Sequence, residues 1–205
     1  GTEFVVIAYD PNQHHWFVVE SVNISASKYS SVRWKEEVVR LNYKWKPEYI
    51  YADEGYGHTI IEDLKVEAHS IRMRGPKSKI DQQTVKLLDR LVAFNFSQKV
   101  TLKSPVDQQD IVKTGKEFLV ENAVRVFKEG RIWFPEDDYV LLKQLLHYVI
   151  IRRHASNNKP VYGVEPERVG DHRLDALMLA LGGLFLEKSM YSRGNMAKSM
   201  PVSLT

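Results

Sequence analysis

Short β-branched and aromatic runs alternate with amphipathic stretches over the first part of the chain. Residues 4–9 and 16–22 are rich in Val, Phe, Tyr and Trp and are separated by Asp10-Pro11-Asn12-Gln13, so they predict an antiparallel hairpin. Apolar positions then recur at helical spacing until Pro47, which predicts a helix that ends there. Its apolar face consists of Trp34, Val38, Leu41 and Trp45.

The next predicted strand, over residues 49–52, ends in two acids. Asp53 and Glu54 follow it directly, and Gly55 and Gly57 come next, where they leave the backbone free to turn or to approach a ligand. A helix is predicted after the glycines, and residues 70–73 are predicted to be extended. Hairpin, helix, strand, helix and strand together predict a mixed α/β sheet flanked by helices.

The middle of the chain opens with a basic run, and we interpret this region as a basic helical and strand insertion. Helical periodicity is predicted around residues 85–92 and over 110–127, strands over 99–103 and 131–135, and a further helix from Asp137. A strongly apolar last helix is predicted over residues 170–187, followed by a flexible C-terminal tail over 188–205. The basic run consists of Arg72, Arg74, Lys77 and Lys79.

The composition of the chain limits its domain number and the kinds of site it can form. The 205 residues suit one sizeable domain, which we place at residues 1–187, and the chain contains no cysteine, which excludes disulfides and thiolate metal sites. The formal net charge of +3 permits nucleic-acid binding without requiring it. No apolar run is long enough to span a membrane, and no secretion signal opens the chain.

A second acidic cluster opens the last predicted helix. Asp171 and Asp175 are four residues apart and His172 and Asp175 are three apart, so both pairs share one helical surface. Carboxylate oxygens with one imidazole favour Mg²⁺ or Mn²⁺ over Zn²⁺. The alternative is an ordinary helix start capped by Asp171, and the alternative for Asp53 and Glu54 is a solvated turn.

Three further features of the sequence bear on its structure or function. A smooth stripe of small residues, Ala176, Ala180 and Gly183, would let the last helix lie close to a sheet. The stretch 113–116, Lys-Thr-Gly-Lys, lacks the upstream glycine of a phosphate-binding loop and is rejected as a nucleotide site. The basic run can be a solvated loop or a contact to DNA phosphates.

The order of these elements resembles the ribonuclease H-like fold, and the acidic motifs resemble the nuclease domain of the large terminase subunit of tailed bacteriophages. The shared motifs are an acid–x–Gly–x–Gly turn after a strand, at residues 53–57, and His-x-x-Asp-Ala-Leu at the start of a C-terminal helix, at residues 172–177. The resemblance covers about residues 1–187. That family's first catalytic aspartate lies on a strand before the hairpin, and residues 4–9 look like the second strand, so the first strand is expected to be missing here.

The resemblance implies a two-metal endonuclease that cuts double-stranded viral DNA concatemers during genome packaging. Asp53, Asp175 and His172 would be catalytic, and Asp53, Asp175, Asp171 and Glu54 would bind two Mg²⁺ or Mn²⁺ ions about 4 Å apart. The basic run would bind DNA. Implied partners are the terminase ATPase domain, the portal and the small terminase subunit, in the host cytoplasm at the procapsid.

Two alternatives stay open beside this one. A Holliday-junction resolvase of the same fold would be a dimer that prefers four-way junctions. A non-catalytic ribonuclease H-like module would bind DNA or a portal partner, with its acids as remnants.

Overall fold

The computed structural model describes residues 1–104, 106–156, 158–166 and 169–191. Within these ranges the protein is a mixed α/β structure with six α-helices and several small sheets. The strands are β1 (Thr2–Asp10), β2 (His15–Ile24), β3 (Ile50–Asp53), β4 (Leu91–Phe94), β5 (Lys99–Lys103), β6 (Asp110–Thr114), β7 (Ile132–Trp133), β8 (Tyr148–Arg153) and β9 (Pro160–Val164). The helices are α1 (Ser31–Trp45), α2 (Glu54–Arg74), α3 (Lys79–Arg90), α4 (Gly115–Lys128), α5 (Tyr139–His147) and α6 (His172–Tyr191).

The strands of the described residues divide into four sheets. β1 and β2 form the predicted antiparallel hairpin, and β7 adds to β2 in parallel. β3 and β4 pair in parallel, while β5–β6 and β8–β9 are separate antiparallel pairs. A single mixed sheet was predicted, but among the described residues β3 pairs with β4 and not with the hairpin.

Helices cover both faces of β1 and β3. Phe4 and Ala52 pack against an apolar cluster built by α1, α2 and α3. Val5 and Tyr51 pack against a second cluster, which includes buried residues of α4 and α6. Because neighbouring residues of a strand point to opposite faces, this alternation places the strands between two helical layers.

Side-chain oxygens fix where the helices begin. Each cap accepts a hydrogen bond from a backbone N–H of the first turn, which satisfies a donor that the helix itself cannot satisfy. α1 ends at Trp45, as predicted from Pro47, and its C-cap Lys46 adopts a left-handed conformation (φ 49°). The capping residues are Ser30 for α1, Asp53 for α2, Ser78 for α3, Thr114 for α4 and Asp138 for α5.

Several predicted boundaries were wrong. Residues 70–73 continue α2 to Arg74 and are not extended, because Ile71 completes the buried helical stripe. Residues 110–114 form β6 and not the start of a helix, since they pair with β5 and Thr114 then caps α4. The last helix continues to Tyr191, beyond the predicted end at residue 187, and residues 192–205 of the predicted tail lie outside the described residues.

The middle of the chain, predicted as a basic insertion, contributes to the core. β4 completes a parallel pair with β3, and α4 packs against α6. Phe94, Phe118 and Leu119 are among the most deeply buried side chains of the larger cluster. The interpretation as a basic insertion gave weight to the charged residues 72–79 and overlooked the apolar residues that follow them.

Candidate functional site

The first turn of α6 contains a mostly buried carboxylate, that of Asp175. Asp171 immediately precedes the helix, and its carbonyl accepts a hydrogen bond from the Asp175 N–H at 2.8 Å. Leu174 and Leu177 on either side of Asp175 are almost completely buried, which draws Asp175 toward the interior. His172, by contrast, is exposed.

Lys116, the second residue of α4, forms an ion pair with Asp175. Its ammonium contacts Asp175 Oδ1, and the two side chains are 20% and 17% exposed. The same ammonium lies 5.0 Å from the ring centre of Phe96 and 5.7 Å from that of Tyr148, within cation–π range. We call Lys116, Tyr148, Asp171, His172 and Asp175 the α6 cluster.

Burial dominates the electrostatics of this cluster. Burial raises the pKa of Asp175, the Asp171 carboxylate raises it further, and Lys116 and His172 oppose the shift. Burial also raises the pKa of the Tyr148 phenol, and the Asp175 and Asp171 charges add to that effect. Tyr148 is therefore a neutral hydrogen-bond donor at any physiological pH, and its hydroxyl is buried without a partner among the described residues.

A buried ion network holds the start of α6 in place. Arg173 donates to Glu3 Oε2 of β1 at 3.0 Å and to Asp138 Oδ1, the cap of α5, at 2.5 Å. The Leu174 N–H donates to Gln144 Oε1 at 2.8 Å. These bonds tie the first turn of α6 to a strand and a helix, so the position of Asp175 is set by tertiary structure.

The first predicted acidic pair lies at the end of β3. Asp53 caps α2 by accepting a hydrogen bond from the Gly55 N–H at 2.9 Å. Glu54 lies 3.7 Å from the His58 ring nitrogen, and both side chains are exposed. The structure thus supports the local capping role of Asp53, while a metal-binding role for Asp53 and Glu54 stays a prediction.

β3 and α6 meet where the small-residue stripe was predicted. The Tyr51 hydroxyl donates to the Gly183 carbonyl at 3.2 Å, and a Cβ built at Gly183 would lie 2.1 Å from the Tyr51 ring. Only glycine permits this approach. Asp53 lies two residues beyond this contact on the strand, and Asp175 lies about two turns before it on the helix.

The donor chemistry of the α6 cluster suits a hard divalent cation, but the described residues do not assemble a complete metal centre. Asp175 and Asp171 offer carboxylate oxygens and His172 offers an imidazole. Among the described residues, however, no three His, Asp or Glu side chains come close enough to hold one ion. Lys116 already contacts Asp175 Oδ1, so a metal ion at that oxygen has to share it or replace the lysine.

The predicted DNA-binding residues lie at the far end of α2 from Asp53. Arg72 and Arg74 are in its last turn, and a helix of 21 residues is about 30 Å long. Arg72 pairs with Asp89 at 3.3 Å and Arg74 with Asp81 at 3.6 Å. Arg72 and Arg74 are therefore remote from Asp53 along the helix.

Sequence analysis missed Lys116 and Tyr148. Lys116 stands 59 residues from Asp175, so only the tertiary fold brings them together. The available signal was Gly115: a Cβ there would lie 2.8 Å from the Asn95 carbonyl, and the close approach places Lys116 against Phe96. The glycine of this Lys-Thr-Gly-Lys stretch serves packing and not phosphate binding.

Comparison with known proteins gave no relative. No protein-family model matches the chain, and neither a curated protein nor a solved structure matches it significantly. In the part of the chain that the structure describes, no helix is both long enough and apolar enough to cross a bilayer.

Proposed function

We propose that the chain is a divalent-metal-dependent endonuclease that cuts double-stranded DNA, with a ribonuclease H-like arrangement of its elements, as in the nuclease domain of a large terminase subunit. The substrate would be concatemeric viral DNA during packaging. Its partners would be an ATPase domain, a portal and a small terminase subunit, at a procapsid in the host cytoplasm.

One observation supports this proposal most: Asp175 is a mostly buried carboxylate on the first turn of a helix that packs against the strand ending in Asp53. Buried carboxylates are costly unless they are paired or bind cations. An acid whose pKa is perturbed by burial and by neighbouring charges is a candidate for a functional site, and Asp171 and His172 offer further ligands for a hard cation.

In this proposal the chain's own residues position the reacting groups. Asp175 and Asp53 would bind the ions, with Asp171 and Glu54 as further ligands, and His172 would hold or transfer a proton beside Asp175. Arg173 keeps the first turn of α6 in place through Glu3 and Asp138. Bound divalent ions supply the activation of water and the stabilisation of the leaving oxygen.

The Lys116–Asp175 pair also favours a second candidate, a non-catalytic module that binds DNA or a protein partner. An acid that is fully matched by a lysine needs no metal ion to be stable. The two candidates differ in whether the chain breaks phosphodiester bonds.

Cleavage of a supercoiled plasmid in Mn²⁺ tests the proposal. Asp175→Asn and Asp53→Asn should each slow nicking at least about a hundredfold, because a catalytic metal ion contributes several kcal/mol to transition-state stabilisation. Asp63→Asn, which alters an exposed acid of α2, is the matched control and should nick at the wild-type rate.

Unchanged nicking by both Asp175→Asn and Asp53→Asn would refute the assignment of the site. A wild-type chain that binds duplex DNA in a mobility-shift assay without cutting it would favour the non-catalytic module. Preference for four-way junctions over linear duplex would instead favour a resolvase.

A further inference from the structure

We propose that the Lys116 ammonium and a divalent cation are mutually exclusive partners of Asp175, so that Lys116 keeps this carboxylate from metal until its side chain moves away. The inference rests on the proposed metal-dependent function and describes the regulation of the same site.

The ammonium occupies the space beside Asp175 Oδ1 that a metal ion bound to this oxygen would need. It contacts Asp175 Oδ1 directly, and little water reaches either side chain. Mg²⁺ binds carboxylate oxygens at about 2.0–2.1 Å, so an ion at this oxygen would lie next to the ammonium. Two cations in a site with so little water repel each other strongly, because the effective dielectric constant is low.

Lys116 is held in this position from both ends. Its backbone N–H donates to the Phe96 carbonyl at 2.8 Å, and Gly115 next to it lies against the Asn95 carbonyl. Its ammonium lies near the rings of Phe96 and Tyr148. The contact with Asp175 is therefore part of the packed structure and differs from an ion pair between two flexible surface side chains.

The charge balance of the site favours replacement of the lysine by a divalent ion. Asp171 is close enough to Asp175 to repel it, and the single charge of Lys116 leaves one of the two carboxylates uncompensated. An ion of charge two would match both. The Tyr148 hydroxyl, buried without a partner among the described residues, would be available to donate to a cluster oxygen once the lysine leaves.

Direct Mn²⁺ binding tests this inference without any cleavage assay. Free Mn²⁺ is measured by electron paramagnetic resonance during titration of the full 205-residue chain. Lys116→Met should bind Mn²⁺ roughly tenfold to a hundredfold more tightly than wild type, a range comparable to other changes beside metal ligands. Lys116→Arg keeps the charge and should remain close to wild type.

Lys113→Met is the matched control. Lys113 lies three residues before Lys116, also forms an ion pair, with Glu121, and is similarly 21% exposed. Its removal changes the net charge of the chain equally, so its Mn²⁺ affinity should stay at the wild-type value. In the Lys116→Met background, Asp175→Asn should abolish the gain in affinity.

Equal or weaker Mn²⁺ binding by Lys116→Met than by wild type, with an unchanged circular dichroism spectrum, would overturn the inference. An equal gain in Lys113→Met would overturn it too, since that result would reflect overall charge. A gain specific to Lys116→Met supports it even if no variant cuts DNA, a result that would count against the nuclease proposal alone.

Discussion

Arg173 connects three parts of the structure through buried charges. Its side chain is 11% exposed, and its partners Glu3 and Asp138 are 8% and 5% exposed. Burial lowers the pKa of this guanidinium, but the bonds to Asp138 and Glu3 outweigh that effect and raise it. A network this deeply buried is stable only while every charge keeps its partner.

Replacing Arg173 by Met should therefore lower the free energy of unfolding by about 3–5 kcal/mol, because it leaves two buried carboxylates unpaired. The measurement is urea unfolding monitored by circular dichroism. Arg72→Met is the control, since Arg72 and its partner Asp89 are 46% and 70% exposed, and a pair of that kind contributes about 0–1 kcal/mol. Similar losses in the two variants would contradict the structural role of the network.

At the scale of elements, α6 depends on glycine for its approach to β3. Gly183 lies against the Tyr51 ring and Gly182 against Leu119 of α4, and a Cβ built at either position would come within 2.2 Å of its neighbour. The face of α6 that carries these glycines thus contacts both β3 and α4. This close packing sets the distance between the helix that bears Asp175 and the strand that ends in Asp53.

Gly183→Ala should lower the free energy of unfolding by about 1–2 kcal/mol. Overpacking against the rigid Tyr51 ring costs about 1–3 kcal/mol, and the higher helix propensity of Ala recovers up to about 1 kcal/mol of it. Gly57→Ala in α2 is the control: its nearest contact is Ile61 Cδ1 at an ordinary 3.4 Å, so it should be neutral or stabilising. Urea unfolding of both variants measures the difference, and a stabilised Gly183→Ala would show that α6 does not rest on the Tyr51 ring.

Local patterns were sufficient for elements whose stabilising contacts are close in sequence. The β1–β2 hairpin follows from two β-rich runs separated by the turn residues 10–13, and the end of α1 follows from Pro47. β6 could not be predicted, because its pairing with β5, and not helical periodicity, decides the conformation of residues 110–114.

The acidic residues of the candidate site could be identified from the sequence, but the residues that surround them could not. Asp171, His172 and Asp175 share a helical surface by spacing alone, but the ammonium that pairs with Asp175 comes from another helix. The distance between Asp53 and the basic run could not be predicted from the sequence either, since it depends on α2 being continuous to Arg74.

At the scale of the whole molecule, cationic and acidic groups are separated along α2. Asp53 caps its first turn, while Arg72 and Arg74 lie in its last turn, about 30 Å away. DNA rises 3.4 Å per base pair, so a duplex in contact with both ends would span about nine base pairs. The basic run would then bind phosphates remote from the acids and not at the scissile bond.

Neutralising the basic run should flatten the salt dependence of DNA binding. Four full phosphate contacts would contribute about 3.6 to the slope of log K against log salt, and we expect a loss of about 2 to 3, because Asp89 and Asp81 already compensate part of the charge. The measurement is fluorescence anisotropy with a duplex of about 24 base pairs, long enough to span α2, at several KCl concentrations. The variant replaces four residues by Gln: Arg72, Arg74, Lys77 and Lys79.

A control variant with the same change in net charge separates a local effect from a general one. It replaces exposed cations on and beside α1 by Gln, and its slope should fall by less than one unit, because surface charges that touch no phosphate release no counterions. Equal slopes for the two variants would show that the basic run is not part of the DNA-binding surface. The attraction to DNA would then come only from the net charge of the chain. The control residues are Lys28, Arg33, Lys44 and Lys46.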